Sequence, residues 1–181
     1  LRYKVWTATA IISAAAIAAI TLAVRAISGG AMELLKFSTI FFGEESLGVD
    51  PLSGLFLVII AIASVATVIY SRGYVEGYLK RFSPAHISLH YTALVVLVVS
   101  MMLVVISSGG FSFLFAWELM TIASFLLILF DAERQQVLRA ALAYLIMMHI
   151  GFVLLVAGFA KIYALTGTGN FADLAGCFSA G

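Results

Sequence analysis

This chain has almost no charge and almost no cysteine. Only 10% of its 181 residues are Asp, Glu, Lys or Arg, 64% are hydrophobic, and the mean hydropathy is +1.15. Soluble domains carry about 25% charged residues, so an integral membrane protein is indicated. The formal net charge of +1 is too small to imply a nucleic acid or an acidic partner. The single cysteine, Cys177, excludes an intrachain disulfide, a CxxC redox pair and an iron–sulfur cluster, which needs a set of thiolates. Alternation of apolar and polar residues is missing, which excludes a β-barrel. No GxxxxGK[ST] phosphate loop and no nucleophile–base arrangement is present. No redox or hydrolytic chemistry is visible, and no cofactor or metal is implied.

What the chain does have is five long apolar runs, at 5–27, 52–71, 87–107, 111–130 and 137–164. Each is about 20 residues or longer, enough at roughly 1.5 Å per residue to cross a hydrocarbon core of about 30 Å. The first follows Arg2 and Lys4 like a signal peptide, but it exceeds an h-region of roughly 7–15 residues and reads as a spanning helix. The expected class is therefore all-α integral membrane with five transmembrane helices. Residues 1–51 hold the first helix and an outer loop, 52–164 the four-helix membrane segment, and 165–181 a further outer loop. The chain opens without an initiator Met and stops without a terminating signal, so it is expected to be a piece of something longer.

Lys and Arg are richest on every second connection: Arg2 and Lys4, then Arg72, Lys80 and Arg81 with His86, then Arg134 and Arg139 beside Asp131 and Glu133. Positive loops stay inside, so a cytoplasmic amino terminus is expected. Glu33, Glu44, Glu45 and Asp50 outnumber Arg25 and Lys36 around the first outer loop.

Punctuation inside the runs adds detail. Asp50-Pro51 is a cap residue followed by proline in the first turn, a helix start. Ser53, Ser64, Thr67 and Ser71 fall on one stripe at about 100° per residue. They either bond back to helix carbonyls or line a wet face. Tyr144, Gly151 and Gly158 recur every seven residues, as on a close-packing face.

Two ionisable groups stand out deep in the spans, Glu118 and His149. A carboxylate within a span costs roughly 2.5–3.5 kcal/mol on insertion scales, so one that is kept there usually carries protons or binds an ion. Counting turns, Glu118 lies about 11 Å and His149 about 12 Å below the outer boundary. Sequential helices are usually neighbours, so the two can share a level. Thr121 lies one turn beyond Glu118. The bland alternatives are a protonated Glu118 with one interhelical hydrogen bond and a neutral His149 bonded to a carbonyl or hydroxyl.

His86 and His90, spaced i, i+4 at the mouth of the third span, could share a metal. No Glu follows His86, so this is not HExxH, and two solvated histidines near Lys80 and Arg81 is the simpler reading. His90 and His149 sit too far apart in depth for a b-type haem. Lys161, near the outer end of the fifth span, can snorkel to water.

Several motifs carry a resemblance: VDPLSGLF at 49–56, YSRGY at 70–74 and FLFAWELMTIASFLLI at 113–128. They resemble the antiporter-like subunit family, the large proton-pumping membrane subunits of complex I, energy-converting hydrogenases and multisubunit sodium/proton antiporters. AALAYLIMMHIG at 140–151 and TGTGNFADL at 166–174 are more similar to the hydrogenase-4-type B component. The resemblance implies part of a larger inverted-repeat fold with a helix broken at mid-membrane. It matches Glu118 to the family's proton-carrying glutamate and leaves His149 as a possible relay. The family's glutamate pairs with a lysine on the broken helix; no residue here matches it, and Lys161 is at the wrong depth. Expected partners are therefore the remainder of the same subunit with that lysine-bearing helix, other membrane subunits of the complex, and lipid. A prokaryotic inner-membrane location follows. The resemblance favours a proton-translocating subunit of a redox-driven complex, against a sodium/proton antiporter subunit or a non-transporting scaffold.

Overall fold

The computed structural model describes residues 2–40, 42–77, 82–131 and 134–179. Lys80, Arg81 and Glu133, used above for orientation, lie outside the described residues. So do the side chains of Arg2, Glu76, Asp131 and Cys177.

All five runs form helices: α1 Arg2–Gly29, α2 Pro51–Glu76, α3 Pro84–Ile106, α4 Gly110–Ile128 and α5 Gln135–Thr166. All five are long and apolar enough to cross a membrane. They alternate in direction, so the connections divide between two ends. One end carries residues 30–50, 107–109 and 167–179; the other carries the start of α1 and the α2–α3 and α4–α5 connections.

Helix starts follow local chemistry. The Ser53 N–H donates to Asp50 Oδ1 at 2.6 Å, with Pro51 in the first turn of α2. Ser83 plays the same part for α3, where the His86 N–H reaches its Oγ at 3.3 Å ahead of Pro84. α5 ends on Gly167 at φ +73, a left-handed residue that a side chain would strain, with its N–H on the Tyr163 carbonyl at 2.8 Å.

Packing is uneven. α1 lies along α2, α3 along α4, and α5 touches the bundle chiefly through α4. α1 presents Ala8, Ile12, Ala16, Ala19, Ala23 and Ala26, all buried, at spacings of three or four. Small side chains let the helices approach closely where no water drives association. Opposite them, a Cβ on Gly54 would stand 3.2 Å from the Ala23 carbonyl oxygen. The apolar side chains left outside, among them Trp6, Ile17, Ile62, Met147 and Leu154, suit hydrocarbon rather than water.

One element departs from the expected outer loop. Met32–Thr39 (β1) and Gly43–Val49 (β2) form an antiparallel hairpin, with Met32 opposite Val49, Thr39 opposite Gly43 and a register shift between Glu33 and Leu35. Its tip is closed locally. The Phe42 N–H donates to Thr39 Oγ1 at 3.2 Å, and Gly43 sits at φ +74.

The hairpin lies across the bundle end. The Ser108 N–H donates to the Ser46 carbonyl at 3.0 Å, the Gly110 N–H to the Gly169 carbonyl at 2.9 Å, and the Phe171 N–H to the Ser108 carbonyl at 2.9 Å. Phe42 packs edge-on to Tyr163 and fills the space a side chain at Gly169 would need. A short helix, α6 Phe171–Ser179, closes the described chain.

The Ser/Thr stripe on α2 proves mostly self-contained. Ser64, Thr67 and Ser71 donate to the Ile60, Ala63 and Val68 carbonyls of their own helix, and Ser53 reaches the Val105 carbonyl of α3 at 3.0 Å. Of the packing face expected on α5, Tyr144 meets Ser124 of α4, while added Cβ atoms at Gly151 and Gly158 would meet nothing within 4 Å among the described residues. A seven-residue spacing picks a helix face but not what lies opposite it.

Candidate functional site

α4 and α5 run antiparallel and bring Glu118 and His149 into contact, with Nε2 to Oε1 at 3.0 Å. Glu118 is 23% exposed and His149 46%. The other imidazole nitrogen is committed as well: His149 Nδ1 lies 2.9 Å from the Leu145 carbonyl oxygen one turn back.

A carbonyl only accepts, so Nδ1 carries a hydrogen. That fixes the tautomer, and only Nε2 is left for Glu118. Two states satisfy the 3.0 Å contact. A carboxylic acid donates to a neutral Nε2, or an imidazolium Nε2–H donates to a carboxylate. In both, a single proton lies between Oε1 and Nε2. For His149 to act as a relay, its Nδ1 would have to leave the Leu145 carbonyl.

The surroundings are apolar. From the hairpin tip a groove of about 540 Å³ descends between Phe42, Tyr163, Phe111, Phe115 and Phe152 to Glu118. A second recess of about 490 Å³ on the outward face of α5 takes in His149, Ile150 and Leu154. Glu118 Oε2 and the neighbouring Trp117 Nε1 are both buried and have no hydrogen-bond partner among the described residues. Thr121 is not a partner of Glu118; it is fully buried and donates to the Trp117 carbonyl at 2.9 Å.

A second polar contact ties the same helices nearer their other end. Ser124 Oγ and Tyr144 Oη are 2.6 Å apart, and Ser124 also donates to the Thr121 carbonyl at 2.9 Å. Serine has one hydroxyl hydrogen, so the tyrosine is the donor across the interface.

His86 and His90 belong to an aromatic cluster, which corrects the solvated reading. His86 Nε2 lies 3.0 Å from the Phe130 carbonyl, the His86 ring stacks on Phe82 at 4.5 Å, and His90 packs on Phe130 at 4.5 Å. Among the described residues no group of three metal-binding side chains occurs. Lys161 is exposed near the end of α5.

The sequence reading missed Glu45. Only 1% exposed, its carboxylate accepts the Phe111 N–H at 2.7 Å and the Ser112 N–H at 2.8 Å, capping α4 from the hairpin. The signal was indirect. α4 starts on Gly109 with no side-chain cap and no acid in its first turn, and such a helix head needs acceptors from elsewhere.

Fold and pair together define a class: a multi-pass helical membrane protein with a carboxyl–imidazole pair inside its span region. Residues 107–180 match the family described as "NADH:quinone oxidoreductase/Mrp antiporter, TM". The chain is 35% identical over 126 residues to an uncharacterised protein of Mycobacterium tuberculosis, covering 69% of this chain and 19% of that protein. It is 34% identical over 125 residues to NADH-quinone oxidoreductase subunit N of Acinetobacter baumannii, covering 69% and 24%. Over 180 residues it is 28% identical to the chloroplastic NAD(P)H-quinone oxidoreductase subunit 5 of Hordeum vulgare, covering 94% and 23%. The chain thus spans about a fifth to a quarter of the length of these curated relatives.

Among solved structures, the Mrp complex from Dietzia sp. superposes with a TM-score of 0.72 at 15% identity, over 96% of this chain and 32% of that one. The membrane-bound sulfane sulfur reductase, an archaeal respiratory membrane complex, gives 0.68 at 20%, over 93% and 25%. Those two likenesses show a shared fold. The sequence matches are thus to membrane subunits of quinone oxidoreductases and to the family named for them and for the Mrp antiporter.

Proposed function

We propose that this chain is part of a proton-translocating subunit of a redox-driven membrane complex, with Glu118 as its proton carrier and His149 as the carrier's partner base. The observation that carries this reading is the 3.0 Å contact between Glu118 and His149, made between two helices long enough to span. An acid and a base sharing one proton inside a span form a group that can be switched by a nearby cation.

Glu118 Oε2, buried and without a partner among the described residues, leaves room for the expected lysine-bearing helix as that cation's source. Within the family, the 140–151 and 166–174 segments favour a hydrogenase-4-type B component. The amino-terminal side is read as cytoplasmic, because Lys4, Arg72, Arg134 and Arg139 lie towards that end while Glu33, Glu44, Asp50 and Asp173 lie at the hairpin end. A prokaryotic inner membrane fits the Mrp neighbour, and chloroplastic relatives extend the range of membranes in which such chains occur.

The test is Glu118→Gln in the full-length protein. The variant is expected to assemble normally and to lose proton translocation by reconstituted vesicles. Unchanged translocation would refute the assignment. Sodium-dependent transport without any electron donor would instead favour the antiporter reading, and dispensability of both Glu118 and His149 would favour the scaffold.

A further inference from the structure

We infer that Tyr144 and Ser124 are positioning residues for the Glu118–His149 pair, a reading that rests on the function proposed above. α5 is held weakly. Its outward residues, Met147, Ile150, Val153 and Leu154, are exposed, and it meets the bundle mainly along α4. Apolar contact in a bilayer does little to set the register of such a helix, because lipid competes equally well for its side chains.

Two polar side-chain contacts among the described residues bridge α4 and α5, and they form consecutive rungs. Glu118–His149 is one, at 3.0 Å, and Ser124–Tyr144 is the other, at 2.6 Å. Going away from the hairpin end, α4 advances six residues between the rungs and α5 retreats five, roughly 9 Å and 7.5 Å at helical rise. The rungs therefore agree on one antiparallel register.

The lower rung also abuts the residue that sets the histidine. Tyr144 precedes Leu145, whose carbonyl holds His149 Nδ1 at 2.9 Å. Fixing the Tyr144 hydroxyl on Ser124 fixes the turn of α5 that contains the Leu145 carbonyl. This keeps the His149 ring aimed so that Nε2, and not Nδ1, meets Glu118. The hydroxyl contact is directional in the same sense. Ser124 spends its hydrogen on the Thr121 carbonyl at 2.9 Å, so Tyr144 must donate, and phenylalanine at that position leaves nothing to do so. No proton needs to pass through this rung; its part is to hold the acceptor nitrogen in line.

The experiment uses the full-length protein, reconstituted, with Tyr144→Phe, Ser124→Ala and the double variant. The first readout is the ring ¹⁵N shifts of His149, identified by comparison with His149→Asn. The parent is expected to show a protonated Nδ1 and an Nε2 engaged with Glu118. Each variant is expected to shift the Nε2 resonance towards a free imidazole. Translocation is expected to fall about five- to tenfold, the scale of one net hydrogen bond. Because the rung acts as a unit, the double variant is expected to match the single ones.

Unchanged ¹⁵N shifts in both single variants would overturn the inference, as would additive losses. If Tyr144→Phe fails to accumulate, Ser124→Ala removes the same contact from α4 and is read in the same way. The spectroscopic arm needs no transport, so normal translocation by Glu118→Gln would remove the proposed function and leave this positioning claim to stand or fall on the shifts.

Discussion

At Asp50 one exposed carboxylate oxygen takes the Ser53 N–H at 2.6 Å, and that bond holds the carboxyl below its ordinary value of 3.8. The causes, largest first, are the Ser53 backbone N–H and the Ser53 side chain; burial pulls the other way, and the Asp50 and Leu52 backbone groups add to the depression. The sign follows from the depression. A carboxyl lowered by folding contributes stability above its unfolded value, and that contribution is lost as pH falls through the folded one. Asp50→Asn keeps a capping oxygen without the charge. The unfolding-temperature difference between parent and Asp50→Asn in detergent is thus expected to shrink from about pH 6 to about pH 3. Asp50→Ala, lacking any cap, is expected to cost roughly 0.5–2 kcal/mol at neutral pH. A parent–Asn difference that stays constant over the range would contradict the role given to the carboxylate. Asp50 was readable beforehand, because a cap residue and a following proline act on the next turn alone. Glu45 was not, since its acceptors' partners lie 66 and 67 residues further along the chain.

Individual elements show the same division between local and distant causes. The five spans were legible to within a few residues, because their apolar lengths answer to bilayer thickness and not to one another. The hairpin was not, for its strands bury residues by docking on the 107–110 connection and not by any strong alternation of their own. Its carboxylate makes the docking energetic as well as geometric. Glu45 offers negative charge to the positive end of α4 while satisfying two of its orphaned N–H groups. Gly109 leaves the room for it, since a Cβ there would come within 2.7 Å of Glu45 Cδ. Glu45→Ala and Gly109→Ala are each expected to lose roughly 1–3 kcal/mol of stability, the scale for stripping partners from buried polar groups. Both act on one contact, so the double variant is expected to be little worse than either. Chemical denaturation of the detergent-solubilised protein measures all three. Fully additive losses would mean that Gly109 matters for something other than the carboxylate's seat.

For the molecule as a whole, five alternating spans place the hairpin end and the amino-terminal end on opposite faces of one membrane, and this makes the orientation testable without reference to transport. The charges differ between the two ends in the way that sorts topology. Lys4, Arg72, Arg134 and Arg139 lie towards the amino-terminal end, while Glu33, Glu44, Glu45, Asp50 and Asp173 gather at the hairpin end with Lys36. Positively charged connections are retained on the cytoplasmic side, and acids contribute little to the choice. Arg25 and Lys36 oppose Lys4 across α1, so the decision falls to the later loops. Replacing Cys177 by Ser provides a background for single new cysteines at two reporter positions. Ser38 lies on β1 near the hairpin tip, and Gly77 follows the end of α2 at the opposite end. In intact cells a membrane-impermeant maleimide is expected to label Ser38→Cys and to leave Gly77→Cys unmodified until the membrane is opened. The reverse pattern would invert the orientation. Labelling of both positions from one side would require an even number of crossings between them, which α2 alone cannot supply, and would break the five-span arrangement itself.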